Sequence, residues 1–234
     1  MTSGARRNWF LAFALLAGAG FTALGVWQIE RRAWKLDLIA RVDARIHAPA
    51  APLPARADWV RVNARDDAYR HVRVTGSFLH DRETLVQAVT ERGAGFWVLT
   101  PLRTAEGIVL VNRGFVPPER RDPARRHARQ GPVTVTGLLR MSEPGGAFLR
   151  SNDPATGRWY SRDVAAITRT RGLGDVAPFF VDADATPNPG GYPVGGLTVV
   201  AFPNNHLVYA LTWFGLAALS AWGAALILRK ARRN

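Results

Sequence analysis

Residues 204–228 read NNHLVYALTWFGLAALSAWGAALIL, and no charge interrupts them from Leu207 to Leu228. At about 1.5 Å per residue, a helix of this length spans the ~30 Å hydrocarbon core of a bilayer. His206 stands at its leading end, and Arg229, Lys230, Arg232 and Arg233 follow it. A second uncharged run, NWFLAFALLAGAGFTALGVWQI (8–29), lies near the other end of the chain, behind Arg6 and Arg7. Trp9 and Trp27 sit near its ends, where indole rings favour the headgroup layer. Ala14, Gly18, Thr22 and Gly25 are small residues at helical spacing, a face that lets another helix approach closely. The run is too long for a cleaved signal peptide.

Working outward, both basic tails flank apolar runs, while every acidic residue lies between Glu30 and Asp184. This distribution accounts for much of the +13 formal charge. It points to anionic lipid headgroups, and to no nucleic acid, as the partner of the tails. The expected order is a cytoplasmic basic tail (1–8), a first membrane span (9–29), an exported, periplasmic β-rich domain (30–203), a second span (204–228) and a second cytoplasmic tail (229–234). Arg31, Arg32 and Lys35 oppose this orientation, but the two tails together outweigh them. The setting implied is a cell membrane. The chain has no cysteine, which excludes disulfides and thiolate chemistry.

Between the spans the hydrophobic period changes. Residues 30–47 place Trp34, Leu38, Val42 and Ile46 four apart, so the first helix continues out of the membrane with one apolar face. APAAPLP (48–54) breaks it. From His71 the period becomes two: HVRVTGSFL, ETLVQAV, FWVLTPLRT, IVLVNRGFV, PVTVTGLLRM, PFFVDAD and GLTVVAF (196–202) read as strands. The turns at 91–95 and 105–107 make a meander of 83–116, and 164–170 reads as a short helix. The fold class is therefore an α+β membrane protein. Two transmembrane helices flank a mostly antiparallel β domain, a sandwich or partly closed barrel with one or two helices.

No nucleophile elbow, phosphate loop, zinc pair or kinase set occurs, so no enzyme activity is expected. His71, His80 and His127 read as surface residues. The Arg-rich run 117–130 reads as a solvated loop or a docking surface for an acidic partner, and Arg113 as a structural ion-pair partner. His206 differs by its place at the start of a span, with Asn204 and Asn205 as candidate caps. Tyr209, Ala210 and Trp213 follow it at i+3, i+4 and i+7, so one small residue lies between two aromatics. Trp27, Gln28, Arg31 and Arg32 emerge at the same membrane surface. Two readings stay open: an interfacial histidine that caps its helix and meets water, or an imidazole that binds haem iron beside guanidinium groups that pair the propionates.

LGVWQIERRAWKLDLI (24–39), GFWVLTPLRT (95–104), VLVNRGFVP (109–117) and NNHLVYALTWFGLA (204–217) occur in this order. With them the chain resembles the surfeit locus protein 1 family, in its short bacterial form. The resemblance implies an assembly factor for cytochrome c oxidase in the inner membrane of a bacterial cell, acting on subunit I beside other assembly factors and binding or handing over haem a. It singles out His206 as the axial ligand, and Trp27 and Gln28 match a Trp-Gln pair at the end of the first span. The rival reading is a cofactor-free scaffold that stabilises a partly assembled oxidase subunit.

Overall fold

A computed structural model describes residues 3–147 and 149–233; within the two tails, Met1, Thr2 and Asn234 lie outside this set. The chain divides into two compact units. One holds the residues up to Arg41 together with those from Ala201 onward, and the other is Val42–Val200.

The first unit is an antiparallel helix pair. Helix α1 (Ser3–His47) runs unbroken through the first apolar stretch and the amphipathic segment beyond it. Its partner α4 (His206–Arg233) is the last helix of the chain. Both are long and apolar enough to cross a membrane. Their seam is built on glycine. A Cβ on Gly25 would stand 2.6 Å from the Phe214 ring, so only glycine admits that ring, while Gly18 lies beside Ser220. Phe21 stacks on Trp213 with ring centroids 5.7 Å apart. The packed stripe of α1 is thus Gly18, Phe21, Gly25 and Gln28, the 3-and-4 spacing of one helix face. Thr22, expected on that stripe, is exposed and returns its hydroxyl to the Gly18 carbonyl.

The second unit is a β-barrel. In chain order it contains β1 (Ala51–Pro52), α2 (Ala64–Asp67), β2 (His71–Phe78), β3 (Thr84–Thr90), β4 (Gly93–Thr104), β5 (Gly107–Val116), β6 (Pro132–Met141), β7 (Gly146–Ala147), β8 (Arg150–Ser151), α3 (Val164–Thr170) and β9 (Val176–Ala183). The main sheet runs β1-β2-β6-β9-β5-β4-β3. It curls until β2 meets β4 through Ser77 with Arg103 and Phe78 with Leu102. Five strands thereby ring a core, closed by only two residue pairs at the last seam. Of the sandwich and the partly closed barrel, the chain forms the barrel. Only β5–β9 and β1–β2 are parallel.

Strand pleat decides which side chains fill it. Val109 and Val111 of β5, with Phe179 and Val181 of β9, point inward onto Leu102, Leu139 and Trp59. Leu110 and Phe180 point to the opposite face, where Trp159 and Ile167 of the α3 region cover them. Both faces of β5 and β9 are therefore dry, which is why these strands read as continuous apolar runs. Burying each such side chain contributes roughly 1.5–3 kcal/mol.

One expected strand is not formed. Residues 196–202 (GLTVVAF) adopt no ladder. Both edges of β9 are already taken, by β5 and β6. The segment is tied instead by the Gly196 N–H donating to the Ala183 carbonyl and by Thr198 Oγ1 donating to Asp182. Alternation of polarity supplied the pattern of a strand, but the neighbouring strand β9 had no edge left to receive it.

Candidate functional site

In the helix pair, the seam ends on a polar contact. His206 Nδ1 lies 2.7 Å from Gln28 Oε1. Gln28 is buried, and Ala210, one turn beyond His206, is 1% exposed. An amide oxygen only accepts, so the imidazole carries its proton on Nδ1. Nε2 then holds a lone pair, and no described residue bonds to it. In metal sites, this kind of contact fixes the tautomer and aims the coordinating nitrogen.

Arg31 and Arg32 follow Gln28 at i+3 and i+4, the positions that share its side of α1. Arg31 lies 4.0 Å over the Trp34 ring, and neither arginine forms an ion pair among the described residues. Asn204 Oδ1 is buried without a hydrogen-bond partner. It does not cap α4; the Asn205 carbonyl, not its side chain, accepts the Tyr209 N–H. The aromatic residues separate. Trp213 is spent on Phe21, while Trp27 (52% exposed) and Tyr209 (55%) lie off the seam. The space expected between Tyr209 and Trp213 is therefore not an open slot on the seam, because Ala210 is packed there. Histidine and amide meet, the arginines follow on the same side of α1, and the two exposed rings lie off the seam.

These residues suit a group that needs a nitrogen ligand and bears carboxylates. They offer one imidazole nitrogen with a free lone pair and, among the described residues, two arginines without acidic partners.

The barrel unit holds a second polar centre. His80 is half-buried, not a fully exposed surface residue. Its Nε2 lies 2.8 Å from the Arg129 carbonyl, so that nitrogen is the donor. Its Nδ1 then accepts from Arg113 Nη1 at 3.4 Å. Arg113 is 4% exposed, and Gly114 after it takes a φ of 125° where the chain closes against Val194. Contrary to expectation, Arg113 has no ion pair among the described residues. Its guanidinium lies 5.0 Å over the Phe78 ring and reaches Asn188 Oδ1 at 3.5 Å, and its Nε is buried without a partner. Burial pushes its pKa down to about 10, against the pull of Glu83 and with the help of Arg126 and Arg129. The nearby acid is engaged elsewhere: Glu83 accepts two hydrogen bonds from Arg126, and both side chains are nearly inaccessible.

The 117–130 loop is exposed over 118–125 and at 127, 128 and 130, as a solvated loop should be, and that pair pins it to the barrel. Arg126 anchors it on Glu83, Arg120 lies over Tyr192, Arg121 over Phe96, and Arg129 donates to the Pro187 carbonyl. His127 is exposed as expected. His71 is half-buried and tied to the Ala48 carbonyl. Sequence reasoning missed Asn204 as an orphaned acceptor and Glu83 as the anchor of the loop. No spacing signals either one. Among the described residues, no group of three His, Cys, Asp or Glu could hold a metal ion.

Residues 15–218 match the model of the SURF1 family. The chain is 36% identical to Surfeit locus protein 1 of Rattus norvegicus over 234 residues, covering 92% of this chain and 73% of that one. It is 37% identical to Surfeit locus protein 1 of Mus musculus with the same coverage. It is 37% identical to a SURF1-like protein of Monosiga brevicollis over 94% of this chain and 88% of that one.

Proposed function

The chain belongs to the SURF1 family, and from that premise we propose that it is a cytochrome c oxidase assembly factor of the bacterial inner membrane that holds haem a for subunit I. Its two long apolar helices serve as spans. Both basic tails remain cytoplasmic, where anionic lipid attracts them, and the barrel is periplasmic.

The observation that carries the haem reading is the 2.7 Å contact between Gln28 and His206. When bound, haem a supplies an iron that accepts an imidazole nitrogen. His206 offers Nε2, and Gln28 holds the ring in the tautomer that keeps this nitrogen unprotonated. Arg31 and Arg32 supply charge for the propionates. The bilayer keeps the apolar macrocycle and its tail out of water.

The test is to purify the protein from cells that make haem a and record its visible spectrum, then repeat with His206→Ala. Loss of the bound-haem band supports the assignment; an unchanged band rejects His206 as ligand. A rival role as cofactor-free scaffold rests on the exposed apolar face of α4, with Val208, Leu211, Leu219 and Trp222. If subunit I is recovered equally with the protein from haem-a-deficient cells and from normal cells, the scaffold role is favoured.

A further inference from the structure

Among the described residues of the barrel, Arg113 is a buried charge left without a carboxylate. A cavity of about 40 Å³ opens beside it, lined by Arg113, Arg129, Thr134, Thr136, Asp184 and Asn188 among others. One water needs roughly 10–15 Å³ by this measure, so the space suits two or three waters or a single carboxylate. The wall is chemically biased. Asp184 is its acid, and it accepts the Thr186 N–H. Arg113 and Arg129 outweigh it, leaving one net positive charge. His80 gives Arg113 only a lone pair, since its other nitrogen is committed to the Arg129 carbonyl. Glu83 is held by Arg126 and is not free to swing over.

We infer that this cavity is a binding site for one carboxylate, received by Arg113 and Arg129. The group is a small free carboxylate or the side chain of an acidic residue on a partner. The site is independent of haem handling by the helix pair.

The test measures thermal unfolding of the full-length protein in detergent, with formate titrated against chloride at constant ionic strength. Formate raises Tm saturably, by about 5 °C at a hundredfold excess over half-saturation, and chloride does not. Arg113→Gln abolishes this rise, and Arg129→Gln shifts half-saturation upward severalfold. Equal responses to formate and chloride, or a formate response that survives in Arg113→Gln, overturn the site. Should Arg113→Gln fail to fold, an unaltered response in Arg129→Gln overturns it. Competition by a capped glutamate, but not by a capped glutamine, assigns the site to a protein side chain. Formate binding without such competition assigns it to a free carboxylate.

Discussion

The helix pair and the barrel each hold a histidine against a polar partner, and the two are put to opposite use. In the helix pair, Gln28 occupies only Nδ1 of His206, and the second nitrogen remains available. In the barrel both nitrogens of His80 are engaged, one donating to a carbonyl and one accepting from a guanidinium. The first imidazole keeps one nitrogen that no described residue uses; the second is a spacer between two basic segments. An imidazole's capacity to coordinate is thus set by how many of its nitrogens the fold consumes, not by how exposed it is.

The sharpest way to break this contrast is to exchange the fates of the two rings. His206→Ala is expected to remove the bound-haem band entirely while leaving the unfolding midpoint of the barrel unchanged. His80→Ala is expected to leave the band and to lower stability by about 1–3 kcal/mol, the cost of unsatisfied buried polar groups. Spectra and urea unfolding of the two variants separate these outcomes, and a lost band in His80→Ala would erase the distinction.

A second test compares how the two units meet charge. Glu83→Gln leaves Arg126 buried and unpaired, and is expected to cost the barrel about 3–5 kcal/mol in denaturant unfolding without altering the haem spectrum. A loss below 1 kcal/mol would show that Glu83 and Arg126 are not buried together.

Gln28 sharpens the comparison on the other side. Gln28→Leu removes the acceptor and is expected to weaken haem retention about 10–100-fold, less than loss of the ligand itself. Gln28→Glu, still an acceptor, should hold haem nearer to the parent level. Equal losses in both variants would sink the tautomer role.

The smallest effect expected concerns acid. Asp175 lies at the barrel surface, and the hydrogen bond from Arg56 holds its carboxyl below the usual range. A depressed folded pKa contributes stability above the unfolded value of about 3.9 and loses it as pH falls through the folded value. Asp175→Asn should therefore flatten the fall of Tm below about pH 4 and leave the neutral range untouched. An acid limb of the same steepness in both proteins would remove this pair from the account.

Much of the molecule was legible along the chain. The apolar runs around residues 9–29 and 207–228 are helices, and 132–141 and 164–170 form their expected elements over the expected residues. The meander of 83–116 forms with tighter turns, its first strands pairing up to Thr90 and Gly93. Where the reading failed, competition for partners was the cause. GLTVVAF carried a strand's alternation to a place where both edges of β9 were occupied. Arg113 lay in a run rich in strand formers, with nothing nearby in sequence to show that Glu83 would be claimed by Arg126.

Two long apolar helices, most of the strands and the family could be read along the chain alone, because the period of hydrophobicity and the order of motifs are local properties. Only the tertiary structure decided which polar group meets which. Gln28 and His206 lie 178 positions apart, and Glu83 and Arg126 lie 43 apart. Hydrogen bonds and ion pairs act over about 3–4 Å through space, a distance that sequence separation does not encode.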